Sequence, residues 1–243
     1  MGYLSSAFFR SFLIQSSWSF ERMQSLGFFY SIAPAIMSIH KDKDDLAEAY
    51  KRHLEFFNTN PYMAPAIIGA TIKLEEEGAS GEDIKGLKAG LMGAYGAVGD
   101  SLFWGALRPL GAVAGVALAL YGFMWAPIVF LIIYNLPHIF MRCYGIIMGY
   151  RMGTGVVTAI KGLDIPGKVQ KIRVFTLFIS GILLSALLYA VKGGVKGGSD
   201  IMLLFISLVL SVYGFYWGLE KGMRVEMLAV LAVGMSVVFG LFL

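Results

Sequence analysis

From Leu110 to Ile139 the chain runs thirty residues with no charged side chain except, in its protonated form, His138. About 20 apolar residues suffice to cross the hydrocarbon core of a bilayer. A soluble domain of 243 residues has no interior able to absorb such a run together with the further apolar stretches at about 174 to 191, 201 to 219 and 227 to 243. With 57% hydrophobic residues against the roughly 45–50% of soluble domains, the chain reads as an integral, all-α membrane protein. Gly122, Pro127 and Pro137 are expected to divide or kink the long run.

Polarity is distributed unevenly. Residues 1–90 hold most of the carboxylates, so the front of the chain meets water and is expected on the cytoplasmic side. MGYLSSAFFRSFLIQSSW has no basic stretch leading into a clean apolar core, which argues against a secretory signal, and the Met-Gly start alone does not make a myristoylation site. Among the later connectors, Lys161, Lys168, Lys171, Arg173, Lys221 and Arg224 fall on one side, and only Lys192 and Lys196 on the other. By the positive-inside rule the first side is cytoplasmic and the C-terminus lies outside. The net charge of +4 follows from this asymmetry, and no nucleic-acid motif accompanies it.

Residues 5–38 read as helix, break near Pro34, helix. DKDDLAEAYKRHLEFFN, from Asp42, suits an amphipathic helix that stops at the NTNP of Asn58 to Pro61. Residues 62–77 form the next helix, ended by Gly78, and GEDIKGLKAGLM starts another with early acids. KGGVKGG lacks the spacing of a phosphate loop and reads as a hairpin connector.

Candidate chemistry concentrates in GLMGAYGAVGDSLFWGALRP, residues 90–109. Gly90, Gly93, Gly96 and Gly99 recur every third residue, a pattern that either lets helices approach closely or lets backbone leave helical geometry, as in a re-entrant hairpin. Asp100 at the edge of an apolar run is a functional candidate, with helix capping as the alternative. Trp104 offers a flat face for a sugar ring; with Arg108 it also suits an interfacial anchor. In QSSWSFERMQSLGF, a helical reading pairs Trp18 with Arg22 and Glu21 with Gln24 on shared faces, as ligand contacts or helix-to-helix bonds. His53 is expected to be solvated or paired locally. Cys143 is alone, and neither metal-ligand spacing nor a cofactor motif is present.

SFLIQSSWSFERMQSLGFFYSIAPAI, KRHLEFFNTNPYMAPAIIGATIKLEEE and GLKAGLMGAYGAVGDSLFWGALRP, followed by APIVFLIIYN and GYRMG, resemble in order and spacing the IID membrane component of the mannose-type bacterial phosphotransferase system (mannose, fructose, sorbose, N-acetylgalactosamine). The resemblance is close over about residues 5–155. It implies helical membrane architecture with re-entrant hairpins, divided as a family-defining core at 1–155, a cytoplasmic connector at 156–173 and C-terminal transmembrane helices at 174–243. It also implies location in the bacterial inner membrane, pairing with a IIC subunit in a multimer of pairs, and coupling to IIA and IIB phosphocarriers that phosphorylate an incoming hexose or amino sugar. No phosphorylated or catalytic residue is implied for IID itself, and no cofactor. On this reading Asp100, Trp104, Glu21, Gln24 and Asn58 line the sugar path, Gly93, Gly96 and Gly99 shape the hairpin, and Arg22, Arg108 and Trp18 contact the partner or the interface. Ala94, Ala97 and Ser101 stand where Pro, Gly and Pro are usual, which motivates the alternative of a structural or regulatory partner that keeps the fold without transporting.

Overall fold

A computed structural model of the chain describes residues 2–162 and 164–191, with Tyr213, Trp217, Lys221 and Gly222. The expected spans at 201–219 and 227–243, the KGGVKGGSD loop and the side taken by the C-terminus lie outside the described residues, apart from those isolated positions. Regular structure among the described residues is helical: α1 (Gly2–Ser11), α2 (Ser25–Ile39), α3 (Lys43–His53), α4 (Ala64–Glu76), α5 (Gly81–Gly99), a π-helical segment (Asp100–Leu107), α6 (Arg108–Leu120), α7 (Ala126–Met152), α8 (Val156–Gly162) and α9 (Ile165–Val191). Residues 1–181 form one compact unit and residues 182–243 a second.

Local chemistry sets the short helices. The Asp42 carboxylate accepts from the backbone of Asp44 and Asp45 at the start of α3, and Ser80 caps α5 by accepting from Asp83. Gly78, at φ +68°, supplies the left-handed turn after α4. Around them run two long apolar stretches, Gly81–Leu120 at 40 residues and Ala126–Thr158 at 33. At 1.5 Å per residue a helix of that length is about 60 Å, twice the hydrocarbon thickness.

Helix α4 is the centre of the first unit, with Ala64, Ala66, Ile67, Ile68, Ala70 and Ile72 all buried. It crosses α7 at backbone-to-backbone distance: a Cβ on Gly149 would overlap the Ala66 carbonyl, and one on Gly69 would overlap that of Ile146. Small residues allow this approach, and dispersion between the two backbones holds it where lipid offers no hydrophobic drive.

The structure corrects two expectations about residues 5–38. The break falls between α1 and α2, where residues 12–24 form irregular turns and Met23 takes φ 52°, so Trp18, Glu21, Arg22 and Gln24 share no helix face. Pro34 sits inside α2. A proline withholds the N–H that the carbonyl four residues earlier expects. Here that carbonyl belongs to Tyr30, and Arg10 Nη1 donates to it at 3.1 Å while its guanidinium lies over the Tyr30 ring. The helix continues because α1 supplies the missing donor.

The long apolar run divides at Tyr121–Trp125, with Gly122 at φ +79° and Pro127 in the first turn of α7, whereas Pro137 lies within α7.

Candidate functional site

Three segments meet at a cleft of about 350 Å³. Its walls comprise Gln15 and Gln24 from the irregular turns, Asn58, Thr59, Asn60 and Pro61 from the loop before α4, and Met92, Gly93, Gly96, Ala97, Asp100 and Trp104 along α5 and the π-helical segment. Gln24, Asn58, Asp100, Trp104, Gly93 and Gly96, separated by up to 80 positions, therefore share one concavity.

Hydrogen bonds fix the loop that forms one wall. Gln24 is buried and spends its side-chain amide on Thr59, donating from Nε2 to the carbonyl at 2.8 Å and accepting from the N–H at 3.2 Å. Thr59 Oγ1 donates to the Met92 carbonyl at 3.0 Å. Gln24 is thus a brace whose polar atoms face the loop. Asn60 is the hinge of the site: its Oδ1 accepts from the Tyr62 N–H at 3.0 Å, its backbone carbonyl accepts from Met63 and Ala64, and its Nδ2 donates to Asp100 Oδ1 at 2.9 Å. Asp100 Oδ2 takes no hydrogen bond from the described residues, and the side chain is exposed. A carboxylate oriented through one oxygen and open through the other is an acceptor for hydroxyl or ammonium groups entering the cleft.

Backbone at the glycines remains helical. A Cβ on Gly99 would come within 2.5 Å of Asn60, so Gly99 is the position where the Asp100-bearing helix must meet the loop without a side chain. A Cβ on Gly96 would make only ordinary contact, and one on Gly93 would meet nothing. Asp100 has φ −63° within continuous helix and caps no separate helix.

Trp104 is 38% exposed at the cleft edge. Behind it stand Tyr62, at 5.6 Å between ring centroids, and Tyr134, at 6.1 Å, their hydroxyls 2.9 Å apart. The Arg108 guanidinium lies 5.8 Å from the indole centre. Of the remaining candidates, Arg22 lines a separate cleft with Lys51, Leu54, Glu55 and Phe56. Trp18 and Glu21 are exposed outside the Asp100 cleft.

Two polar centres escaped the sequence reading. Glu75, buried, accepts from Arg52 Nε and Nη2 at 2.7 and 2.8 Å and contacts the Nε2 atoms of His40 and His53 at 2.7 and 2.8 Å. Burial acts to raise the carboxyl pKa, but the bonds from His53 and Arg52 prevail and hold it far below the usual carboxylate range. Burial pushes His53 the other way, keeping it neutral; with Glu75 ionised, its Nε2 carries the hydrogen. His53 is therefore an interior residue paired with Glu75, 22 residues away, in place of the solvated or locally paired one expected. Arg142, buried in α7, donates through Nη1 to the Ser11 carbonyl at 2.8 Å and lies over the rings of Phe12 and Tyr62. Among the described residues no cluster of three His, Cys, Asp or Glu side chains suits a metal ion.

The family model for the mannose/fructose/sorbose family IID component of the phosphotransferase system matches residues 2–242. The chain belongs to that family. It is similar to the mannose-specific EIID component of Escherichia coli, 40% identical over 184 residues that cover 73% of this chain and 65% of that relative. Like coverage, 76% and 69%, accompanies 40% identity to the sorbose-specific EIID component of Klebsiella pneumoniae, and the fructose permease IID component of Bacillus subtilis is 37% identical. The alignment thus spans just under two thirds of the E. coli protein. A cryo-EM structure of the mannose transporter ManYZ with microcin E492 holds a chain 29% identical, with a TM-score of 0.61, covering 98% of this chain and 95% of that one. A second solved membrane protein gives a TM-score of 0.66 at 30% identity. The chain is accordingly a IID component of the mannose/fructose/sorbose family, a membrane protein whose described residues are helical.

Proposed function

We propose that this IID component pairs with a IIC subunit in the bacterial inner membrane and carries a hexose or amino sugar inward, with phosphate supplied by IIA and IIB. The supporting observation is the cleft built around Asp100. Its volume falls within the range of about 300–1,000 Å³ usual for small-ligand sites. One oxygen of Asp100 is held by Asn60 and the other is left for a ligand, an arrangement that accepts hydrogen from a sugar hydroxyl without reorganising first. Trp104 at the rim provides the apolar face that the C–H side of a pyranose packs against. Asn58, exposed at the same wall, adds a donor and an acceptor. Gly93 and Gly96 leave room along the helix between them. On this reading Arg22, Trp18 and Arg108 face the partner or the membrane interface, and Glu21 contributes to the IIC contact in preference to the sugar path. The basic connector residues set the cytoplasmic side, with the N-terminal part facing it and the C-terminus outside.

Cells expressing this chain with its IIC, IIA and IIB partners are given labelled mannose, fructose and N-acetylated amino sugars, and phosphoenolpyruvate-dependent uptake is compared between wild type and Asp100→Asn. The expected result is uptake of at least one sugar, lost in the variant while IIC still co-purifies. Uptake unaffected by the substitution removes Asp100 from the path. No uptake of any sugar by an assembled wild-type complex refutes transport and favours a partner role that the departures at Ala94, Ala97 and Ser101 allow.

A further inference from the structure

Pro109 has no N–H for the carbonyl of Gly105, four residues before it, and its ring crowds that carbonyl in α-helical geometry. The helix responds by widening: Asp100–Leu107 is π-helical, and the Arg108 N–H reaches back five residues to Phe103. Gly105 nevertheless finds a donor. Arg173, about two turns into α9 on its exposed flank, donates from Nε to the Gly105 carbonyl at 3.0 Å and from Nη2 to Ser101 Oγ at 3.2 Å. A Cβ on Gly105 would stand 2.6 Å from Nη2, so the missing side chain at 105 is what seats the guanidinium. The same device occurs at Pro34, where Arg10 serves the orphaned Tyr30 carbonyl.

Ser101 and Gly105 directly follow Asp100 and Trp104, the two cleft residues of this segment. Ile165, Val169 and Thr176 anchor the same helix, all buried. We propose that Arg173 is a positioning residue for the cleft: by bridging Ser101 and Gly105 it holds the wide turn in the register that presents Asp100 and Trp104 together. The bridge needs two divergent donors from one planar group, which arginine has and lysine lacks. Arg173 touches nothing in the cleft. Its effect on a ligand passes through the backbone of the segment it holds. The proposal rests on the sugar-path reading only for its consequence in transport; the geometry it asserts is measurable without sugar.

The full chain, co-expressed with IIC and carrying Trp104 as its only tryptophan (Trp18, Trp125 and Trp217 changed to Phe), is purified with Arg173 intact, as Arg173→Ala, as Arg173→Lys and as Gly105→Ala. Emission and acrylamide quenching of Trp104 are read beside KM and kcat of uptake in otherwise wild-type chains. Arg173→Ala and Gly105→Ala are expected to change Trp104 quenching and to raise KM about fivefold with kcat within about twofold, the effect of one ordinary hydrogen bond, and Arg173→Lys to restore only part of either. Quenching and KM that stay at parent values in Arg173→Ala overturn the proposal, as does full rescue by lysine. If Arg173→Ala fails to assemble, Gly105→Ala, which keeps the arginine but displaces it, decides by the same two readouts. Altered quenching in a complex whose parent takes up no sugar upholds the clamp and refutes the sugar reading.

Discussion

Replacing Glu75 by glutamine changes one atom and removes the charge on which α2, α3 and α4 converge. Oε1 serves Arg52 Nε and His53 Nε2, and Oε2 serves Arg52 Nη2 and His40 Nε2, so whichever oxygen becomes an NH2 group then confronts two of those nitrogens. Arg52 loses its counter-ion, and the buried Lys88 ammonium, which donates to the Arg52 carbonyl at 2.9 Å, keeps Glu55 but loses the second carboxylate that offset it. Breaking a buried pair on one side costs about 3–5 kcal/mol, and a domain of this size loses roughly 2–4 °C per kcal/mol, giving a fall of roughly 6–20 °C in Tm. The assay is thermal loss of the monodisperse peak when detergent-solubilised protein is heated before size exclusion. Glu77→Gln is the control, because Glu77, 3.2 Å from Lys73, is itself more than half in solvent and such pairs contribute about 0–1 kcal/mol. A fall under 2 °C for Glu75→Gln, or one no larger than the control's, refutes the assignment of Glu75 as the ionised keystone of this cluster.

The remaining predictions are narrower. Because burial lowers the His53 pKa below its ordinary 6.5, the unfolded chain binds a proton that the folded chain refuses; its contribution is complete above pH 6.5 and is lost as pH falls toward the folded value. Tm should therefore fall between pH 7.5 and 5.5, and His53→Gln, which can still donate to Glu75, should flatten that fall; equal slopes exclude His53 as its source. Glu75, held low, keeps its stabilisation throughout this window and loses it progressively as pH falls from the ordinary carboxylate value toward the folded one. Gly149→Ala should abolish the folded peak, since its Cβ overlaps backbone that cannot retreat, whereas Gly93→Ala, with nothing near its Cβ, should melt within about 2 °C of wild type. Asn60→Ala should weaken sugar uptake about as much as Asp100→Asn does, because it frees the carboxylate it orients; normal uptake in Asn60→Ala refutes that orienting role.

What the sequence disclosed follows from the range of each interaction. Asp42, Ser80 and Gly78 act on atoms within a few residues, and the starts of α3 and α5 and the end of α4 fell where those residues put them, whereas α3 stops at His53, short of the NTNP expected to end it. Pro34 misled because its local rule holds only while the orphaned carbonyl has no other donor, and Arg10 is brought to it by the packing of α1 on α2. Trp18, Glu21, Arg22 and Gln24 were set on a helix by periodicity, but the backbone of residues 19–24 is claimed by bonds to Phe57 and within the turn. Gln24 still reached the cleft wall through that loop contact. Asn60 stood in the NTNP that marked a helix stop, and nothing short-range separated its role from that of Asn58. Glu75 gathers partners 22 to 35 residues away, and Arg142 meets Ser11 across 131; neither separation leaves a period to read.

The glycine-rich stretch that bears Asp100 looks uniform in sequence, yet its positions answer to different physics. Gly99 is required by the Asn60 loop, whose side chain occupies the space of a Cβ; Gly105 is required by a guanidinium; Gly93 and Gly96 are packed against little and border the opening. Pro109 then converts the helix between them to wide turns, which rotates successive side chains by less than α-helical spacing would. In a regular α-helix, residues four apart sit about 40° from alignment. With roughly 4.4 residues per π turn the offset is similar in size and opposite in sense, and Asp100 and Trp104 both line the cleft. The substitution Pro109→Ala tests this directly. It returns an N–H to Gly105, should let the segment tighten to α-helix, and should lower affinity for sugar while raising thermal stability. Unchanged affinity with raised stability would leave the wide turn a mere accommodation of proline, with no part in shaping the site.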